Sequence, residues 1–196
     1  MTDSYHHGDL REAVLERAAA AIELEGPYLF SLRSLAAELG VSHTAPRHHF
    51  GSREGVLNAL ATQGFAMLGD RLRAIRESGG SFLDAGVAYV EFALEHPAHF
   101  QVMFAPTLLD EGDPALAAAR AATFAELRRG VDSMSLGDET DAAAAAVVAG
   151  WSIVHGFATL ALTGNLDSSG IRSLCADGDL LGLARRSASL LYGSPS

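Results

Sequence analysis

Ser31-Leu-Arg-Ser-Leu-Ala-Ala-Glu-Leu-Gly40, running straight into Val41-Ser-His-Thr-Ala-Pro-Arg-His-His-Phe50, is the stretch that decides how this chain is read. Leu32, Leu35, Ala36 and Leu39 recur at three- and four-residue spacing, which places them on one helical face. Ser31 stands at an N-cap position, where a hydroxyl can accept from a first-turn amide. Gly40 follows the last apolar residue and supplies the positive φ that ends a helix. Ser42 is expected to cap a second, short helix running to about His49, with Val41 plugging the angle between the two. Pro46 then falls inside the first turn, and about one backbone hydrogen bond is expected to be lost there. Two short helices joined through a glycine, the second polar and basic, describe a helix-turn-helix.

The charge distribution agrees with that reading. The 196 residues carry a net charge of −10, yet residues 31–53 sum to +2, with Arg33, Arg47 and Arg53 against Glu38 alone. Residues 1–30 sum to −4 and residues 54–196 to −8. A short basic segment on an acidic body predicts DNA binding that depends on good local contacts, because the body repels phosphate. The candidate DNA-binding residues are Ser31, Arg33, Ser42, His43, Thr44, Arg47, His48, His49 and Arg53. Their hydroxyls, imidazoles and guanidinium groups can reach phosphates or base edges.

Outward from this stretch the punctuation is helical throughout. Asp9-Leu-Arg-Glu12 resembles a capping box, with Leu15, Ala18 and Ile22 on one face of the helix it opens and Gly26-Pro27 ending it. Ser52 is expected to cap a long helix with Val56, Leu57, Leu60, Phe65, Leu68, Leu72 and Ile75 as its apolar stripe, closed by Gly79-Gly80. Further helices are expected over about Phe82–Glu95, Ala98–Phe104, Pro114 to Val131, Asp138 or Thr140 to Thr163, and Asp179–Tyr192. Gly164–Gly178 reads as loop. With 48% hydrophobic residues, abundant alanine and few β-branched residues, the chain reads as all-α, with about nine helices. The composition shift near residue 50 divides the chain into a DNA-binding head over 1–52 and a helical body over 53–196.

The motifs Leu35-Ala-Ala-Glu-Leu-Gly-Val-Ser42, Ala45-Pro-Arg-His-His-Phe50, Ser52-Arg-Glu54 and Leu57, with Tyr5-His-His-Gly-Asp-Leu-Arg11 upstream, resemble the tetracycline-repressor-type (TetR) regulators. They cover about the first quarter of the chain. Ala93–Phe104 and Trp151-Ser-Ile-Val-His-Gly156 resemble the body of one subgroup, marked by a Trp-His-Gly signature. The resemblance implies a three-helix head, a linking fourth helix, an effector-binding and dimerisation body over 53–196 whose last two long helices pair with a second copy, and an effector that alters the separation of the two heads. It also marks a departure: Arg47 stands where the family has a phosphate-contacting tyrosine, and arginine can bind phosphate in a bidentate way.

The resemblance and the apolar body point to an apolar or aromatic effector, for which Phe100, Met103, Phe104, Phe124, Trp151 and His155 are candidates. Trp151 and His155 lie four residues apart and share a face; core packing accounts for the other aromatics equally well. The expected partners are an operator duplex, that effector and a second copy of the chain, with no membrane. Ala142–Leu162, the most apolar run, is rich in Ala and Gly and contains His155, so it reads as a buried helix. The polar Met1–Ser4 start and a single cysteine, Cys175, fit a cytoplasmic protein.

No glycine-rich phosphate loop, Gly-x-Ser-x-Gly elbow or carboxylate–histidine motif appears, so neither catalysis nor a cofactor is expected. His96-x-x-His99 and His48-His49 lack a second ligand pair at zinc spacing, so no metal is expected. The competing reading is a helical small-molecule-binding protein or enzyme that has lost DNA binding. Ser42, Thr44, Arg47, His49 and Arg53 argue against it, since a released surface would tolerate acids there.

Overall fold

A computed structural model describes residues 7–132, 140–174 and 179–192; Tyr5, His6, Asp138 and Cys175 lie outside the described residues. Among these, ten α-helices and no strand are found. They are α1 (His7–Glu25), α2 (Leu32–Glu38), α3 (Ala45–Phe50), α4 (Arg53–Glu77), α5 (Phe82–Glu95), α6 (Pro97–Met103), α7 (Pro114–Asp132), α8 (Thr140–Leu162), α9 (Asn165–Ser168) and α10 (Leu180–Tyr192). Short 3-10 turns cover Pro106–Leu108 and Arg172–Leu174. The tenth helix is α9, a single turn launched from Gly164 at φ +71°, in a segment expected to be loop. A second correction concerns Asp9: α1 already starts at His7, so Asp9 lies within its first turn and not at the position before it.

The chain packs as two compact units. One takes Met1–Phe65 and Pro97–Arg120, and the other takes Ala66–His96 and Ala121–Ser196. The helix-turn-helix thus belongs to a unit that also includes α6 and the first part of α4.

In the first unit, α1 touches α2, α3 and α6. Val14, Leu15, Ala18 and Ile22 of α1 are buried, as are Leu35 and Ala36 of α2, whereas Leu32 and Leu39 are only half-buried. Gly64 of α4 leaves room for the Met103 sulfur, which lies 2.5 Å from where a Cβ would stand. Buried Asn58 acts as a backbone substitute. Its amide donates to the Asp110 carbonyl at 3.1 Å and its carbonyl accepts from the Asp110 amide at 3.0 Å.

In the second unit, α5 packs on α8 and α10. Its start is fixed by a capping box: Ser81 Oγ accepts from the Asp84 amide at 3.1 Å, and Asp84 accepts from the Ser81 amide at 2.8 Å. Arg185 of α10 reaches the same carboxylate at 2.5 Å. Glu126 of α7 is buried and receives Arg76 at 3.0 Å and Arg129 at 2.6 Å. Burial pushes its carboxyl pKa up, and those two guanidinium groups outweigh that effect, holding it below the ordinary value.

Candidate nucleic-acid interface

The turn between α2 and α3 closes as a Schellman motif. With Gly40 at φ +66°, its amide donates to the Ala37 carbonyl at 3.2 Å and the Val41 amide donates to the Ala36 carbonyl at 3.0 Å. A side chain there would be strained, which is why glycine holds the position. The chain then makes one more turn before α3. The Ala45 amide donates to the Ser42 carbonyl at 3.0 Å, so the cap is Thr44 and not Ser42. The Ser42 and Thr44 hydroxyls lie 3.1 Å apart. This start also corrects the expectation for Pro46, which sits at the second helical position. An amide there has no intrahelical acceptor in any helix, so proline removes nothing.

Ser42, His43, Thr44, Arg47 and His48 are exposed on this segment, and His49 is half-buried, tilted against the Phe50 ring at 6.4 Å. Ser31 is the N-cap residue of α2 but makes no side-chain cap bond, and it is exposed together with Arg33. Arg53 differs from the rest. Its Nε donates to the Phe30 carbonyl at 2.9 Å, and its Nη2 donates to the carbonyls of Pro27 and Tyr28.

The single acid between Ser31 and Ser52 is Glu38, and Arg17 of α1 meets its carboxylate at 2.6 Å. Both partners are half-exposed, so the pair adds little stability. Its effect is electrostatic: the one negative charge in the segment is matched, and the polar outer residues face solvent without it. Arg17 was not legible as part of the interface, since it lies 21 residues from its partner.

A second cluster lies in the other unit. Trp151 Nε1 donates to the Tyr89 hydroxyl at 3.2 Å, and that hydroxyl meets His155 Nδ1 at 2.8 Å. Phe124 stands edge-on to Trp151 at 5.1 Å. Burial raises the Tyr89 pKa and lowers that of His155, so both groups are held neutral at pH 7. The arrangement that uses each donor once has the Tyr89 hydroxyl donating to Nδ1, which leaves the imidazole proton on Nε2. Tyr89 escaped the sequence reading because no motif ties it to a histidine 66 residues away.

The six candidate effector residues therefore fall into two groups. Phe124, Trp151 and His155 gather around Tyr89. Phe100 and Phe104 pack against each other at 5.1 Å in the first unit, where Phe65 meets Phe104 at 5.8 Å and Met103 is buried against Gly64.

Among the described residues no group of three or more His, Cys, Asp or Glu side chains could hold a metal ion. His99 Nε2 pairs with Gln63 Oε1 at 3.4 Å, and the His96 ring lies 5.2 Å from Phe92. Among the described residues one helical stretch, Ala144–Leu162, is long and apolar enough to cross a membrane by length and composition, with 22% of it buried. The buried helix expected there instead leaves Val148 59% and Leu160 44% exposed in the single chain.

Comparison with known proteins places these features in context. Residues 82–177 match the family described as tetracyclin repressor-like, C-terminal domain. The chain is 28% identical over 160 residues to the uncharacterized HTH-type transcriptional regulator Rv0681 of Mycobacterium tuberculosis, covering 80% of this chain and 72% of that one. It is 32% identical to a protein of unknown function from Rhodococcus sp. RHA1, with a TM-score of 0.72 over 95% of this chain and 97% of the other. A TetR-family transcriptional regulator from Bordetella parapertussis is 18% identical, with a TM-score of 0.67 over 95% of each chain.

Proposed function

We propose that this chain, which belongs to the tetracycline-repressor-like (TetR) family of DNA-binding transcriptional regulators, represses its target promoter until a small apolar or aromatic molecule releases it. Family membership makes it a DNA-binding regulator and not an enzyme. The observation that carries the reading is the exposed row Ser42, His43, Thr44, Arg47 and His48 beside a glycine-closed helix pair, with the segment's one acid matched by Arg17.

In this reading the head is 1–52 and the effector-binding and dimerisation body 53–196. Ser42, His43 and Thr44, at the start of α3, face base edges in the major groove. Arg47, His48 and His49, further along, contact phosphate, as do Ser31 and Arg33 at the start of α2. The effector binds beside Phe124, Trp151 and His155, with Tyr89 joining them; Phe100, Met103 and Phe104 line the other unit. Linkage requires the effector to bind the DNA-free conformation more tightly, by about 1–3 kcal/mol of coupling. Two copies pair through α8 and α10, where Val148, Leu160 and Leu190 would otherwise stay wet. The protein acts in the cytoplasm, where its DNA is.

The test is titration of a duplex from just upstream of the protein's own gene, with a scrambled duplex as control. The reading expects preferential, salt-sensitive binding. Equal affinity for both duplexes, or none, contradicts it.

A further inference from the structure

We infer that Arg53 is a positioning residue that closes the helix-turn-helix on itself, and that it does not contact phosphate. The inference rests on the DNA-binding reading above. Arg53 opens α4, two residues beyond Gly51, the C-cap of α3. Its guanidinium reaches back to the carbonyls of Pro27, Tyr28 and Phe30, which immediately precede Ser31, the N-cap of α2. One side chain therefore ties the exit of the pair to its entrance, and α2, the turn and α3 lie inside the loop so closed.

The local chemistry suits a guanidinium. Three backbone carbonyls point at it, and the buried Phe30 ring lies 5.9 Å from its central carbon. A planar fork satisfies several acceptors at once, which a single ammonium does with difficulty. The Nε and Nη2 hydrogens are already committed, so a phosphate gripped bidentately through Nη2 and a neighbouring nitrogen would have to displace carbonyls already bound, two of them part-buried. Tyr28 and Leu29, within the stretch Arg53 holds, are 67% and 71% exposed, so side-chain burial at these two positions does little to fix the backbone there. The Ser52 hydroxyl, which accepts from the Gly55 amide at 3.2 Å, fixes the first turn of α4 and with it the base from which Arg53 reaches. Closing the loop lowers the number of orientations α3 can sample relative to α2 and α4, so the head meets DNA pre-aligned.

The test uses the full chain, a duplex that the wild-type protein selects from a random pool, and the variants Arg53→Met and Arg53→Lys. Amide exchange over residues 28–35 of the DNA-free protein should speed up about tenfold or more in Arg53→Met. Duplex affinity should fall about tenfold in parallel, the scale of one charge-assisted hydrogen bond lost. Arg53→Lys should restore neither fully. In the wild type, the Arg53 Nε–H resonance should be visible without DNA and should stay in place when the duplex is added. That readout decides the matter even if the variants fail to fold. Unchanged exchange in Arg53→Met, wild-type affinity in Arg53→Lys, or an Nε–H signal that moves only with DNA would overturn the inference. If the wild type selects no duplex at all, the DNA-binding reading fails and the inference falls with it. That outcome is distinct, because it appears before any variant is made.

Discussion

Arg47 and Thr44 sit three residues apart on the exposed side of α3 and its cap, and the account gives them different jobs. Arg47→Ala should weaken binding almost equally for preferred and altered duplexes. It should flatten the plot of log affinity against log salt by about one unit, since one fewer counterion is released. Thr44→Ala should change which base is preferred and leave that slope nearly intact. Because Thr44 makes no side-chain cap bond, its loss should cost little stability and the change can be read as recognition. Titrating both variants on two duplexes across a salt series separates the roles; loss of base preference in Arg47→Ala would exchange them. His155 carries a separate prediction. Burial lowers its folded pKa below the ordinary 6.5, so the stability it contributes is present above that value and is lost as pH falls through the folded one. The melting temperature should therefore drop more steeply between about pH 7 and pH 5 in the wild type than in His155→Gln. Parallel curves would contradict this.

At the level of elements, what was legible in the sequence is what is written locally. Ser52 before α4, Pro114 at the start of α7 and His96-Pro97 after α5 each mark a helix end by their own chemistry, and those ends fall as read. The start of α3 was misplaced because Ser42 and Thr44 are both competent caps, and only the extra turn at Ala45 chooses between them. The one turn of α9 is too short to show a periodicity. Arg185, which grips the α5 cap from 101 residues away, leaves no trace in sequence. Gly40 supplies an element-scale test: nothing lies within 4 Å of a Cβ built there, so Gly40→Ala feels backbone strain alone. It should cost about 1–2 kcal/mol in urea unfolding. Asp84 supplies another. Its bonds to Ser81 and Arg185 lower its pKa from 3.8 to about 2, so its contribution is present above 3.8 and is lost as pH falls through about 2. Asp84→Asn should melt below the wild type at pH 7, and the gap should close on acidification. A gap that persists at the lowest pH would assign the loss to packing.

For the whole molecule, the apolar residues left exposed by a single chain are the guide. Leu190 on α10 is 86% exposed and Val148 on α8 is 59% exposed, so both can be changed with little cost to the isolated fold. Leu190→Asp should convert a homodimer into monomers in sedimentation velocity at micromolar concentration and weaken operator binding; a wild-type monomer would refute the pairing. The candidate effector residues illustrate why long-range sites resist sequence reading. Phe100 and Phe104, four residues apart, pack on each other, whereas the cluster around Trp151 needs Tyr89 from a different helix. The central claim is that α3 enters the major groove, and dimethyl sulfate footprinting of the bound upstream duplex tests it most directly, because it reports guanine N7 in the major groove and adenine N3 in the minor groove. The account predicts N7 protection in two clusters about one helical turn, or a multiple of it, apart, each lost in Arg47→Ala at high salt. Protection confined to adenine N3, or no protection at saturating protein, would contradict it.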